Sequence, residues 1–435
     1  MKKYFGTDGI RGIPNINLTN EIISKISSSV EEVLKPTSVA VILDTRNSSL
    51  EILNWICEGF SENIEVVNYG VLPSGSMPIL LKHFGHNLGI IISASHNPSE
   101  YNGIKLIDEN GSKLQDNIEI EIESHFENID VPKAHTSFKD SEDGYKVYYE
   151  FLDELFDFDI ANFNIVIDSA YGSAYKIIDH LLRENNSKFN MIANTPDGEN
   201  INFESGATHT NNLITTLKKG QIGAAFDGDA DRLIMVDEEG NTCNGDVIIL
   251  LIAKYLSAIN QLNNNVVVST VMSNYGFKNA MEKNSFKNVE TSVGDKYVAE
   301  AMGENNASLG GEQSGHIIIS DKLPVGDGLL TLVYVLKALS FFNTTLAQFR
   351  TENIEEYPQK LVNLELQEKP DDKQLLELDL IAKKLSEESE LDGRYLIRNS
   401  GTEPMLRVLV EASNQELVEN FSNKLINNIK KFLQT

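Results

Sequence analysis

The sequence predicts an α/β protein: three similar domains in series, followed by a smaller last one. Length is the first observation. A chain of 435 residues is too long for one ordinary core and suits three or four domains of about 100–150 residues. Composition is the second, since 41% hydrophobic and 23% charged residues is a globular balance. The third is an internal likeness among 39–48 (VAVILDTRNS), 165–173 (IVIDSAYGS) and 266–274 (VVVSTVMSN). Each is a short apolar run that reads as a buried strand, then turns into small polar residues suited to a loop and a helix N-cap. The units recur at roughly 100–125 residues, about one domain length.

The connections follow from periodicity. Residues 144–156 (GYKVYYEFLDELF) carry apolar side chains at helical spacing and link the first domain to the second. Val247 to Ile259 is a second linking helix. The stretch from Asp371 to Glu390, just after Pro370, is charged with Leu at intervals and reads as a largely solvated helix of the last domain. The expected domains are therefore 1–150, 151–255, 256–355 and 356–435. Acidic runs such as Glu119 to Glu123 read as solvated faces.

Charge excludes some partners. Lys and Arg total 37 against 64 Asp and Glu, a formal net charge of −27. So acidic a body repels phosphate backbones, which argues against nucleic acid or an anionic membrane surface as its main partner. An anionic small substrate needs a local basic pocket. Cys57 and Cys243 are the only cysteines, too few for a disulfide framework or a zinc-ligand set. Lys2 and Lys3 are followed by no apolar stretch, so the start does not read as a signal peptide, and the run Val247 to Ala253 is too short to span a bilayer. A cytoplasmic protein is expected.

Four motifs carry chemistry. Ser93-Ala94-Ser95-His96-Asn97-Pro98 follows the apolar run Leu88 to Ile92, at a strand end where α/β active sites gather. No G-x-S-x-G elbow occurs, so a hydrolase reading is weak, and the serine instead suits a phosphate carrier with a metal and cations nearby. Asp227-Gly228-Asp229-Ala230-Asp231-Arg232 puts three carboxylates at alternate loop positions, able to converge on one hard cation. The EF-hand decoy fails because Arg232 stands where that loop needs Gly. Magnesium is the natural cation, being held by a few carboxylates together with phosphate oxygens. Gly310-Gly311-Glu312-Gln313-Ser314-Gly315-His316 offers donors and acceptors to sugar hydroxyls. Arg398-Asn399-Ser400-Gly401-Thr402-Glu403-Pro404 supplies a guanidinium fork, hydroxyls and a backbone nest, a phosphate site without a Walker lysine. Ser95, Asp227, Glu312 and Arg398 fall one per stretch of about 85–130 residues, roughly one per domain. Four domains around a central cleft would combine a serine carrier, a cation, a polyol reader and a phosphate clamp.

Taken together these residues resemble the α-D-phosphohexomutase superfamily, whose four motif regions match here in order as Ser93 to Pro98, Asp227 to Arg232, Gly311 to His316 and Arg398 to Pro404. Within it, Phe5-Gly6-Thr7-Asp8-Gly9-Ile10-Arg11-Gly12, Gln313 and Val293-Gly294-Asp295-Lys296-Tyr297-Val298 look most like the bacterial phosphoglucosamine mutase branch. Lys296 stands where Arg is commoner, and Asn399 where that branch usually carries Lys. The resemblance implies three similar α/β domains and a fourth, smaller α+β domain. It implies an isomerase-class enzyme that interconverts glucosamine 6-phosphate and glucosamine 1-phosphate for UDP-N-acetylglucosamine and cell-wall synthesis. Ser95 would be the phosphoserine, with glucosamine 1,6-bisphosphate as intermediate and possible activator. One Mg2+ would be held by Ser95, Asp227, Asp229 and Asp231. Arg11 and Lys105 match positions beside the phosphoserine, and Lys105 and His316 are the two candidates for general acid/base. Arg232, Glu312 and Ser314 would bind substrate together with Arg398, Asn399, Ser400, Gly401 and Thr402. The partner is a small sugar phosphate, and a homodimer is left open. The nearest alternative is a phosphomannomutase/phosphoglucomutase of the same superfamily. A calcium-binding interaction protein would rest on the aspartate loop alone.

Overall fold

Parallel strands fed by helices, each closed by one antiparallel return, recur three times along the chain. The computed structural model describes residues 2–6, 8–132, 134–399 and 405–433. The chain divides into two compact units, Met1–Met272 with Asn284–Glu352, and Ser273–Lys283 with Asn353–Thr435.

The larger unit holds three mixed sheets. The first contains β1 (Ile10–Gly12), β2 (Ser38–Leu43), β3 (Glu65–Val71), β4 (Leu88–Ile92), β5 (Asn102–Asp108) and β6 (Phe138–Asp140) in the order β1-β5-β4-β2-β3-β6. The second contains β7 (Asn164–Asp168), β8 (Lys188–Ile192), β9 (Ile222–Phe226), β10 (Leu233–Val236) and β11 (Thr242–Cys243) in the order β11-β10-β9-β7-β8. The third contains β12 (Val266–Thr270), β13 (Lys287–Thr291), β14 (Leu309–Gly311) and β15 (Ile317–Ile319) in the order β13-β12-β14-β15. In each sheet one strand, β2, β7 or β12, lies between two parallel neighbours, and the third strand of the set pairs with an antiparallel fourth. These three central strands are the apolar runs of the sequence repeat, and they are buried almost throughout because helices cover parallel sheets.

The repeated topology places chemistry. The turn from third to fourth strand is β4→β5 at 93–101, β9→β10 at 227–232 and β14→β15 at 312–316. The serine, aspartate and Gly-rich motifs thus occupy one equivalent corner, at the carboxyl end of a parallel strand where open α/β sheets bind ligands.

Helices Gly245–Ala258 and Gly328–Phe342 are apolar nearly all round and pack together, as fully buried helices do. Asp327 caps the second. Its Oδ1 accepts from the N–H groups of Leu329 and Leu330 at 2.8 and 3.0 Å, and its Oδ2 from the Tyr148 hydroxyl at 2.7 Å. Among the described residues no single helix is long and apolar enough to cross a membrane.

The smaller unit is α+β. Strands β16 (Gln359–Glu365), β17 (Gly393–Asn399) and β18 (Met405–Ala412) form an antiparallel sheet in the order β16-β18-β17. Helices Asp372–Glu388 and Gln415–Leu433 bury Leu378, Val418, Phe421 and Leu425 with Leu406, Val408 and Val410 of the sheet. Helix Asp372–Glu388 opens with a capping box between Asp371 and Gln374. Helix Tyr275–Lys283 also belongs to this unit, so the third βα pair is shared between the units although the sequence reads it as one piece.

The run Glu119 to Glu123 departs from its expected solvated role. Glu119 is buried and pairs with Lys2, while Glu123 accepts the backbone N–H groups of Lys3, Tyr4 and Phe5. The acidic helix face fastens the N-terminal strand of chain.

Candidate active site

Ser95 leaves β4 in the left-handed region, at φ 52°, and is only 1% exposed. Its Oγ donates to Asp227 Oδ2 at 2.6 Å and lies 3.3 Å from His96 Nδ1. Two corner loops therefore meet at one hydrogen bond across 132 residues of sequence. Gly228 permits the approach, since a Cβ there would stand 2.6 Å from the Ser95 carbonyl oxygen.

The three aspartates present oxygens within 4.8 Å of one another, all buried. Burial, then repulsion from Asp231 and Asp229, pushes the Asp227 carboxyl up to about 8. Among the described residues Oδ1 of Asp229 and Oδ1 of Asp231 are buried without a hydrogen-bond partner. Unsatisfied, mutually repelling oxygen donors at this spacing fit a hard divalent cation such as Mg2+.

Basic groups ring the carboxylates. Lys105, from β5, puts Nζ 2.8 Å from Asp229 Oδ2, 3.1 Å from Asp231 Oδ2 and 3.2 Å from Asp8 Oδ2. Burial opposes the ammonium, but Asp229, Asp231 and Asp8 outweigh it and hold the Lys105 pKa well above its usual value. His316 places Nδ1 3.6 Å from Asp231 and Nε2 3.6 Å from Asp295. Burial again acts downward and Asp231 and Asp295 prevail, so its pKa is raised. Arg11 donates to Asn97 Oδ1 at 3.1 Å and pairs with Asp8. Arg232 Nε stands 3.9 Å from both Asp227 and Asp231. His96 is driven down to about 4 by burial and by Arg232 and Arg11, so it is neutral at pH 7.

In the third corner, Glu312 Oε1 accepts from Gly294 N at 3.0 Å and Glu312 Oε2 lies 3.5 Å from Ser314 Oγ. Gln313 turns to Asp246, donating from Nε2 at 3.2 Å.

In the smaller unit, Arg398 and Asn399 end β17, and Asn399 Nδ2 donates to the Pro370 carbonyl at 2.8 Å. Ser400, Gly401 and Thr402 lie outside the described residues, as do Glu403, Pro404 and Thr7. Arg398 stands directly opposite Arg407 of β18. Among the described residues no carboxylate pairs with either, and burial together with Arg407 lowers the Arg398 pKa. Like charges face to face across a strand pair are unfavourable. An anion would relieve the pair.

Ser95, the three aspartates, Lys105, Arg11, Arg232 and His316 thus form one connected set. Sequence reasoning missed Asp8, Ser74, Lys113 and Arg407. Ser74 donates to Asp229 Oδ2 at 2.7 Å, and Lys113 joins Asp8 to Asp295. Asp8 sits inside the quoted opening motif, and its placement between glycines was the available signal. Ser74, Lys113 and Arg407 carried none.

Consecutive stretches match the phosphoglucomutase/phosphomannomutase family: alpha/beta/alpha domain I over residues 2–133, domain II over 146–240, domain III over 244–357 and the C-terminal domain over 361–427. A phosphoglucosamine mutase of Lactobacillus gasseri is 39% identical over 98% of both chains. A phosphoglucomutase/phosphomannomutase family protein from Burkholderia thailandensis shares the fold with a TM-score of 0.81 at 20% identity, over 99% of this chain and 98% of that one. An N-acetylphosphoglucosamine mutase from Aspergillus fumigatus, solved in complex with GlcNAc-6P and magnesium, gives 0.68 at 17%, over 100% and 96%. Four such domains with these corner loops define a phosphohexomutase, an enzyme. The chain belongs to the phosphoglucomutase/phosphomannomutase family and, within it, to the phosphoglucosamine mutases.

Proposed function

We propose that this chain interconverts glucosamine 6-phosphate and glucosamine 1-phosphate, supplying UDP-N-acetylglucosamine synthesis in the cytoplasm. The observation that carries the reading is the 2.6 Å hydrogen bond from Ser95 Oγ into the buried aspartate trio. A serine hydroxyl directed at three carboxylates suits a phosphate carrier whose charge is offset locally.

Ser95 carries a phosphoryl group and passes it to the free hydroxyl of the bound sugar phosphate. The P–O bond to Ser95 breaks, a P–O bond to the sugar forms, and the sugar hydroxyl gives up its proton. The product, glucosamine 1,6-bisphosphate, turns over. Its other phosphate returns to Ser95 Oγ, and the oxygen left behind takes a proton. Asp227, Asp229, Asp231 and the serine phosphate would hold Mg2+, which would supply charge neutralisation for the transferring group. Lys105 and Arg11 stabilise the phosphate on Ser95, and Lys105 or His316 moves the proton. Arg232, Glu312 and Ser314 bind the sugar in either orientation. Arg398 and Asn399, with Ser400, Gly401 and Thr402, grip the phosphate that is not reacting. The four motifs belong to the successive domains 1–150, 151–255, 256–355 and 356–435.

Turnover of glucosamine 6-phosphate set against mannose 1-phosphate, with peptide mapping of the enzyme, tests the reading. Preference for the amino sugar and phosphate on Ser95 are expected. Equal or better use of mannose 1-phosphate would transfer the chain to the other branch of the family. Phosphate confined to Ser93, with activity kept in Ser95→Ala, would remove the carrier.

A further inference from the structure

A residue with a side chain keeps a left-handed conformation only where its surroundings hold it there. Ser95, at φ 52°, is held by two side chains from different repeats. Arg46 follows β2, its side chain wholly buried and its Nε paired with Asp44 Oδ2 at 2.9 Å. Its Nη2 donates to the Ser95 carbonyl at 3.0 Å and to the Asn97 carbonyl at 2.8 Å. Its Nη1 donates to the carbonyls of Tyr101, at 2.9 Å, and Pro98. Asn202, between β8 and β9, donates from Nδ2 to the same two carbonyls, Ser95 at 2.8 Å and Asn97 at 3.0 Å. One donor from the first repeat and one from the second thus bridge the same pair of oxygens. Ser93 completes the frame, donating to Asp44 Oδ2 at 2.7 Å and accepting from Ser95 N at 2.8 Å.

These donors bond main-chain carbonyls and Asp44, not the carboxylates of the Asp227 loop. Their effect on chemistry must pass through the direction of Ser95 Oγ. We propose that Arg46 and Asn202 are positioning residues, which clamp the Ser95 and Asn97 carbonyls from two sides and so aim the serine oxygen at the Asp227 loop. The inference rests on Ser95 as the phosphate carrier. It adds that the carrier's aim is set jointly by two domains.

Asn202→Gly is the sharpest test. Asn202 is itself left-handed, at φ 61°, so glycine keeps the backbone and deletes only the amide. Asn202→Asp keeps the shape and loses the donor. In both, KM for glucosamine 6-phosphate should stay within about twofold while kcat falls roughly 10- to 100-fold, the scale of a misplaced reacting atom. Single-turnover transfer of labelled phosphate from Ser95 to sugar should slow by the same factor, with the melting temperature little changed. Arg46→Lys keeps a cation beside Asp44 but cannot span four carbonyls, so it should show the same kcat-specific loss. The double variant should lose less than the product of the single losses, because both donors serve the same oxygens. Normal kcat and normal single-turnover transfer in Asn202→Gly would overturn the inference, as would a kcat loss matching a loss of folded protein. The wild type separates the two readings. If it turns over with label on Ser95, a normal variant defeats the positioning role alone; if it shows neither, the carrier role fails and the inference falls with it.

Discussion

The molecule contains two charged sites of opposite construction. Around Ser95 charges of both signs are interlocked: Lys105 reaches three carboxylates, and the serine is held by its hydroxyl, its N–H and its carbonyl. On β17 and β18, Arg398 and Arg407 face each other with no described carboxylate between them. The first site is pre-organised around converging carboxylates, which suit a cation. The second sets two guanidinium groups against each other, which suits an anion. On the proposed reading the contrast is one of chemistry against capture: damage to the first should appear in kcat, and damage to the second in KM.

Ser95→Ala gives the largest effect. Mutase turnover should fall to background while substrate binding, followed by thermal shift, persists. Asp229→Asn comes next, with kcat down roughly 10²–10³-fold, the scale for one electrostatic stabiliser. Chelator-treated wild type should resemble it and recover with Mg2+. A chelated enzyme that keeps full activity on metal-free substrate would erase the distinction between the sites. Arg398→Ala should raise KM by roughly 10- to 100-fold, the equivalent of about 1.5–3 kcal/mol for a charged hydrogen bond, and let bisphosphate escape into solution. Normal KM with no leakage would leave Arg398 a structural residue. Arg407→Ala sharpens the comparison. Inorganic phosphate should raise the melting temperature of wild type more than that of this variant, because ligand stabilisation follows affinity.

A further effect lies at the cap of helix Gly328–Phe342, beside the aspartate loop. Burial raises the Asp327 carboxyl from 3.8 to about 6, against the hydrogen bonds from Leu330, Tyr148 and Leu329. The folded chain therefore holds this proton more tightly than the unfolded chain. The contribution to stability is full below about pH 4 and is lost as pH rises to about 6, by roughly 2–3 kcal/mol. Asp327→Asn should remove that part of the slope in denaturant titrations across this range. An unchanged slope would show that Asp327 ionises alike in both states.

How much of this could be read from the chain depends on what each residue bonds to. The serine, aspartate and Gly-rich loops were legible because polar residues break apolar strands at positions where side chains meet ligands. The fourth loop was legible as a motif, although Ser400, Gly401 and Thr402 lie outside the described residues. Arg46 stood in plain view within the first repeat, but its partners are main-chain oxygens of another loop, which leave no mark on sequence. Arg407 becomes informative only through the register that sets it against Arg398. Glu119 and Glu123 look like any solvated acidic face until the N-terminal segment is seen tied to them. The sharing of helix Tyr275–Lys283 with the smaller unit was invisible for a similar reason, since local periodicity says nothing about which body a helix joins.

The meeting of Ser95 with Asn202, Asp227 and Gly228 also bears on how the protein comes into being. The serine is made early in translation, and the residues that complete its surroundings follow more than a hundred positions later. A nascent chain that ends before Asn202 has the hydroxyl but neither the carboxylates nor the donor from the second repeat. On the proposed reading of Ser95 as phosphate carrier, the complete site for its first phosphorylation exists only once the second repeat has been made, and a chain truncated before it is expected to be inert.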